Sequence, residues 1–294
     1  MNDSSTKYLI NLPPFYLRGI DFDRMNSLVK IFYIFLGKFF AFITKYTNKK
    51  IFCALINLFY RKDGKIFYSD KNYVKKTSSG REIAFPNKRV LRLVNKFDLQ
   101  VQKFREAYLL DSVPVTNNDT IIDCGANIGE LNLSYKERGI SLNYIAFEPE
   151  KSVFNCLETN NKEDNNELFN IGLSNKNGIK KFYLDTEGGN SSFVKFGSEE
   201  YNEIEVARLD KIIPLDKQIK LLKIDAEGYE PEVLDGAKNI LPNIEYISVD
   251  FGGERGANEE MTIIEVNDFL YQNNYKLIGL SKIRMVGLYK RDDS

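Results

Sequence analysis

The side chains of this chain best placed to do chemistry are carboxylates that follow short apolar runs. Asp123 stands two residues before Gly125 in TIIDCGANIGE, Thr120 to Glu130, a stretch that also carries Asn127 and Gly129. Glu148 follows 25 residues later in FEPE, and LLKIDAEGYEPEVLDGA places Asp225 and Glu227 after another apolar run. Asp250, Glu254 and Arg255 come at the end of a fourth such run, in SVDFGGERG. Two carboxylates two residues apart are costly to bury without a partner, so Asp225 and Glu227 point to a substrate hydroxyl, a cation or an amine beside them. Asp225 and Asp250 are also oxygen ligands of the kind a divalent metal takes, and the donor fork of Arg255 suits an anionic or hydroxyl-rich substrate. The chain has no histidine. Proton abstraction therefore falls to carboxylates, lysine, tyrosine or a metal-bound group.

These residues need strands that end in one place. Thr120 to Glu130 reads as strand, glycine turn and helix, with Leu131 to Arg138 helical. In such a turn the backbone needs positive φ or close approach to a ligand, and the helix start offers unpaired N–H groups. A dinucleotide fold would show G-x-G-x-x-G, whereas this turn reads D-x-G-x-x-x-G. S-adenosylmethionine (SAM) carries a sulfonium and an amine but no pyrophosphate, so an acid beside the turn suits it better. Glu148, ending a strand over Leu142 to Phe147, can accept from both ribose hydroxyls, a feature nicotinamide and SAM folds share. The loop bearing Asn170 and Ser174 would read an adenine edge. Ser191, Ser192 and the Arg208–Asp210 pair stand where they could line the same mouth, with a loop turn and a structural ion pair as the plainer readings.

The remaining pattern alternates strands and helices: Lys151 to Asn161 helix, Leu168 to Leu173 strand, Lys180 to Leu184 and Glu203 to Arg208 short strands, with a loop over Asp185 to Glu200 between them. Lys220 to Ile224 is a buried strand, Glu230 to Ala237 a helix, Ile244 to Phe251 a strand and Glu259 to Gln272 a helix. Lys276 to Leu280 and Arg284 to Lys290 close the chain as a strand pair. The expected fold is α/β, a doubly wound, mainly parallel sheet with the ligand beyond its carboxyl ends, preceded by an N-terminal helical extension. Glu230 and Glu232 read as solvated helix-capping acids.

The chain holds 41 basic and 41 acidic residues, unevenly spread: residues 1–110 carry 21 and 8, net +13, and the rest 20 and 33, net −13. Such asymmetry suits an anionic surface or docking on the acidic half. No nucleic-acid partner is expected. The expected division is 1–80, basic and aromatic-rich, and 81–294. Val29 to Tyr60 is dense in Phe, Ile, Leu and Tyr, with Lys30, Lys38 and Lys45 recurring on one helical face. Its longest uncharged run, Ile31 to Gly37, falls short of the ~20 residues of a membrane span, so it is not expected to cross a bilayer. It reads as a basic helix lying on anionic lipid through residues 29–60, or as a helix pair packing on the second domain or on a second subunit. Residues 61–81 look like a linker, Glu82 to Phe85 and Lys88 to Val94 like short strands, and Asp98 to Leu110 like a helix. Cys53, Cys124 and Cys156 lack metal spacing and read as reduced residues of a cytoplasmic protein, with the inner membrane face as its peripheral site.

The joint run of IIDCGANIGE, FEPE, NIGLSNKNG, Ser191-Ser192, VARLDKI and LLKIDAEGYEPEVLDGA, over about residues 104–290, resembles the FkbM family of SAM-dependent methyltransferases. The resemblance implies a class I methyltransferase fold in which Asp123, Gly125, Asn127, Gly129 and Glu148 surround SAM while Asp225 and Glu227 border the reacting methyl. It also implies O-methylation, often of sugar hydroxyls in glycans, glycolipids or glycosylated metabolites. In this reading Asp225 or Glu227 is the base, and Asp250 and Glu254 orient the acceptor or hold a metal. Two rivals remain at this level, a nicotinamide-dependent oxidoreductase and a non-catalytic membrane-adhering module.

Overall fold

A computed structural model describes residues 26–59, 63–93, 96–163, 165–183, 201–256, 258 and 260–292. The chain forms two compact units, residues 1–100 and 101–294. In the first, α1 (Ser27–Tyr46) starts where the Asn26 side chain accepts the Leu28 N–H, and α2 (Lys49–Phe59) follows after extended Thr47. A three-stranded antiparallel sheet comes next: β1 (Lys65–Ser69), β2 (Asn72–Lys76) and β3 (Glu82–Phe85). The Asn57 side chain ties α2 to β1, donating to the Ile66 carbonyl and accepting its N–H at 2.6 and 2.9 Å. The boundary expected at residue 80 falls in the turn between β2 and β3.

Two expectations change here. The polar stretch 61–81 contains a hairpin, closed by Asp70 and Lys71 at φ 49° and 66°, the left-handed pair that a tight hairpin turn needs. Lysine hid it: Tyr73 and Lys75 are the inward positions of β2, and buried Lys75 is held by Asp63. Lys88–Leu93 is a 3-10 helix rather than a strand. In α1 the lysines interrupt the apolar run without ending the helix, and among the described residues it is one helix that by length and composition could cross a membrane, 20 residues with mean hydropathy 1.7 over an 18-residue window.

The second unit opens with the end of α3 (Phe97–Ala107). It continues through β4 (Thr120–Cys124), α4 (Glu130–Lys136), β5 (Asn143–Phe147), α5 (Lys151–Asn160), β6 (Glu167–Phe169), β7 (Gly172–Leu173), β8 (Gly178–Tyr183) and β9 (Tyr201–Ala207). After α6 (Leu209–Ile212) come β10 (Ile219–Ile224), α7 (Glu230–Gly236), β11 (Ile244–Asp250), β12 (Gly253–Arg255), β13 (Glu260–Met261), α8 (Ile263–Gln272), β14 (Tyr275–Leu280) and β15 (Val286–Arg291). The seven-stranded sheet runs β14-β15-β11-β10-β4-β5-β6; β15 alone is antiparallel to both neighbours. Its central strands are apolar on both faces, as a covered parallel sheet requires. Leu222, Ile224, Ile247 and Val249 pack with α7 and α8, while Ile121, Leu221, Tyr144 and Tyr246 pack with α4, α5 and Tyr108. From β4 the chain winds outward to β5 and β6, then returns to β10 and β11 on the other side. The switch point, and with it the ligand site of such a sheet, lies at the carboxyl ends of β4 and β10.

The strand expected over 168–173 is split. β6 belongs to the main sheet, and β7 joins β9 and β8 in a small one, because Asn170 turns its side chain onto the Glu148 and Pro149 carbonyls. The helix expected from Glu259 starts at Ile263, after β13 and the buried Thr262.

Candidate functional site

The turn after β4 is glycine-bearing because backbone packs on it. Gly125 has φ 71°, and a Cβ there would lie 1.9 Å from the Asp225 carbonyl; at Gly129, φ 90°, one would lie 2.0 Å from the Asn161 amide. Close approach is thus to neighbouring protein at both positions. The N–H groups of Gly125 and Ala126 both donate to the Phe147 carbonyl, which fastens the turn to the end of β5, and Asn127 takes φ 50°.

Glu148 extends from β5 under this turn. Its Oε2 accepts the Asn127 N–H and its Oε1 the Glu150 N–H, both at 2.9 Å. Burial pushes its carboxyl up to about 8 against the pull of those N–H donors. A carboxylate has about four lone-pair sites, so two remain for hydroxyl donors.

The polar residues at the other side of the switch point alternate along one sheet face. Lys223 faces Asp123 in register across β10 and β4. The two are almost wholly buried, with Nζ 3.0 Å from Oδ1, and Tyr144 donates to Asp123 at 2.7 Å. Lys223 also donates to the Gly125 carbonyl at 2.7 Å, so a charged pair inside the sheet fixes the first glycine of the turn. Burial alone would lower the Lys223 ammonium, but Asp123 and then Asp225 outweigh it and hold it above its ordinary value. Asp123, expected beside the cofactor, has these two residues as its partners.

Asp225 and Asp250 follow paired residues of β10 and β11, as the sequence suggested. Two residues that local sequence does not point to join them. The Tyr108 hydroxyl donates to Asp225, and Arg284 donates to that hydroxyl at 2.7 Å. The Arg284 guanidinium pairs with Asp250 and lies 3.6 Å from Asp225 Oδ2. Burial, and then Asp225, push the Tyr108 hydroxyl well above its ordinary value, which keeps it a donor. Ser248, on the same face, donates to the Tyr108 carbonyl at 2.8 Å and fixes its backbone. Glu227 is half-buried on the next turn at φ 51°, followed by Gly228 at φ 91°. Among the described residues no three His, Cys, Asp or Glu side chains converge on a metal position. The two aspartates considered as metal ligands share a guanidinium.

The other expected residues shape the surroundings. Arg255 spends its fork on Glu232, at 3.0 and 2.8 Å, and donates to the Gly228 carbonyl, bracing the turn after β10. Glu230 is not solvated: it is buried, accepts the Ala226 and Gly228 N–H groups and the Thr262 hydroxyl, and burial pushes it up to about 7. Ser174 is wholly buried, 3.3 Å from the Tyr229 hydroxyl. Arg208 and Asp210 form a structural ion pair that also binds Asn239 and the Asn175 carbonyl. Ser191, Ser192 and the Glu254 side chain lie outside the described residues.

The arrangement sets the turn between two carboxylates, Glu148, which accepts the Asn127 N–H, and Asp225, whose backbone packs on Gly125. Residues 123–277, more than half of the chain, match the family model described as methyltransferase FkbM domain. No curated protein matches the chain. Among solved structures, a putative tRNA (m1A22) methyltransferase of Streptococcus pneumoniae in complex with S-adenosyl-L-methionine is 12% identical, covering 65% of this chain and 73% of its own with TM-score 0.39. A SAM-dependent methyltransferase from Aquifex aeolicus is 13% identical over 66% and 97%, TM-score 0.38. A putative methyltransferase from Escherichia coli is 13% identical over 73% and 94%, TM-score 0.38.

Proposed function

Because the chain belongs to the FkbM family of SAM-dependent methyltransferases, we propose that it methylates a hydroxyl oxygen of a sugar, carried on a glycan, a glycolipid or a glycosylated metabolite. The observation that carries this reading is the contact of the cofactor turn with the acid at the end of β10. The Asp225 N–H donates to the Cys124 carbonyl at 3.1 Å, and Gly125 packs on the Asp225 carbonyl. A nucleoside held at the turn and a hydroxyl held at Asp225 would therefore be neighbours.

The residues fit the adenosine part of SAM: Glu148 is buried at the end of β5, with lone pairs left for two ribose hydroxyls, beside a turn braced from both sides. When bound, SAM supplies an electrophilic methyl on a sulfonium, so the protein needs to align the acceptor and take its proton. The acceptor hydroxyl donates to Asp225, with Glu227 on the next turn as the second carboxylate. The Asp225 carboxylate would take the hydroxyl proton as the acceptor oxygen receives the methyl that bound SAM would supply. Tyr108 and Arg284 are positioning residues: they fix the Asp225 carboxylate and offset its repulsion with Asp250. The sugar as acceptor is supported by the family resemblance, and the cytoplasm as location by three buried, unbridged cysteines.

Incubation with methyl-labelled SAM and a panel of oligosaccharide and nucleotide-sugar acceptors tests this. Label recovered as a sugar methyl ether, and lost in Asp225→Asn, is the expected result. Label recovered only in acceptors without a sugar hydroxyl overturns the acceptor class.

A further inference from the structure

The N-terminal unit carries a feature that methyl transfer does not use. At roughly 100° per residue, α1 divides into three faces. Gly37, Phe40 and Ile43 are buried and lie within an arc of roughly 120°. Lys30, Lys38 and Lys45 occupy a second arc of roughly 80°. The third, an arc of roughly 100°, holds Leu28, Ile31, Phe32, Phe35, Phe42 and Tyr46, each more than half exposed. An apolar stripe about 30 Å long, left in water, is more than scattered surface hydrophobes account for.

We propose that α1 lies in the plane of an anionic lipid bilayer, with the Leu28–Tyr46 stripe among the acyl chains and the lysines at the phosphates. The centres of the three faces are about 120° apart, which suits this pose: with the apolar face down, protein flanks one side and the ammonium groups reach the headgroup level on the other. Crossing the bilayer would instead bring Lys38, near the middle of the helix, and the protein-packed face into hydrocarbon. The occupant is lipid rather than a neutral apolar partner because the lysine arc borders the stripe and residues 1–110 carry a net +13.

The test is co-sedimentation of the full chain with vesicles of phosphatidylcholine, alone or mixed with phosphatidylglycerol. The expected result is binding to the mixed vesicles that weakens with salt. It should fall about tenfold or more when Lys30, Lys38 and Lys45 are all changed to Gln. It should be lost in Phe32→Glu combined with Phe35→Glu, whose thermal unfolding matches the parent because both positions are exposed. Absence of vesicle binding overturns the proposal. So does a lipid-free dimer that the Phe32→Glu, Phe35→Glu variant dissolves, since the stripe would then face a second copy. Vesicle-bound protein that resists alkaline carbonate extraction overturns the in-plane pose.

Discussion

Lys223 and Asp123 face each other across β10 and β4, Nζ 3.0 Å from Oδ1, with both side chains shielded from water. Breaking a buried pair leaves one charge without its partner, a far larger effect than the net contribution of the pair itself. Lys223→Met should cost about 3–5 kcal/mol in urea unfolding, and Asp123→Leu added to it should recover part of that loss. A single-variant cost under about 1 kcal/mol would mean the pair does not hold the turn.

Asp225→Asn keeps the shape of the site but not the proton acceptor. Methyl transfer should fall about 10²–10⁴-fold with affinity for S-adenosylhomocysteine unchanged. Full activity in this variant would move the base elsewhere, with Glu227 next to test.

Arg284 pairs with Asp250 and lies beside Asp225. Removing a shared cation from two neighbouring carboxylates disfavours their charged forms. Arg284→Met should therefore move the acid limb of the pH–rate profile to higher pH, a change that mere loosening of the loop would not give. Tyr108→Phe should lower kcat about tenfold to hundredfold and move that limb the same way by less, because the charged Asp225 carboxylate loses a neutral donor rather than a cation. With a guanidinium already between the aspartates, activity should survive chelators.

Glu148 and Glu230 are raised to about 8 and about 7 from an ordinary 4.5. Between 4.5 and those values the folded chain binds more protons than the unfolded chain, so stability falls as pH rises across that window. Thermal unfolding as a function of pH should show this decline, and Glu148→Gln should remove its upper part. A ribose held by ionised Glu148 works the other way, so affinity for S-adenosylhomocysteine should rise with pH toward about 8.

Much of this site is local and could be read from the chain. The turn from Asp123 to Gly129 and Asp225 at the end of its apolar run announce themselves because a polar group ending an apolar strand has few structural uses. Tyr108 and Arg284 could not be found that way: they lie 117 and 59 positions from Asp225, and only the winding of the sheet brings them to it. Lys223 sits unremarked in the apolar run that ends at Asp225, and its register with Asp123 is what gives it meaning. The hairpin at 65–76 has no clear apolar alternation in the sequence because its inward positions include Lys75, a residue type expected in water. Gly125 looked like a place for a ligand, and the structure adds a second reason for it, the Asp225 carbonyl. Gly125→Ala should cost about 1–3 kcal/mol or more from strain and clash together, while Gly139→Ala, with similar φ and open space, should show strain alone.

The proposed activity rests on SAM being held by the turn after β4 and by Glu148. Calorimetric titration of the full chain with S-adenosylhomocysteine, with NAD as comparison and Glu148→Ala as control, tests it most directly. S-adenosylhomocysteine should bind, about tenfold or more weakly to the variant, and NAD should not bind. Binding of NAD in its place, or equal affinity of parent and variant for S-adenosylhomocysteine, would contradict it.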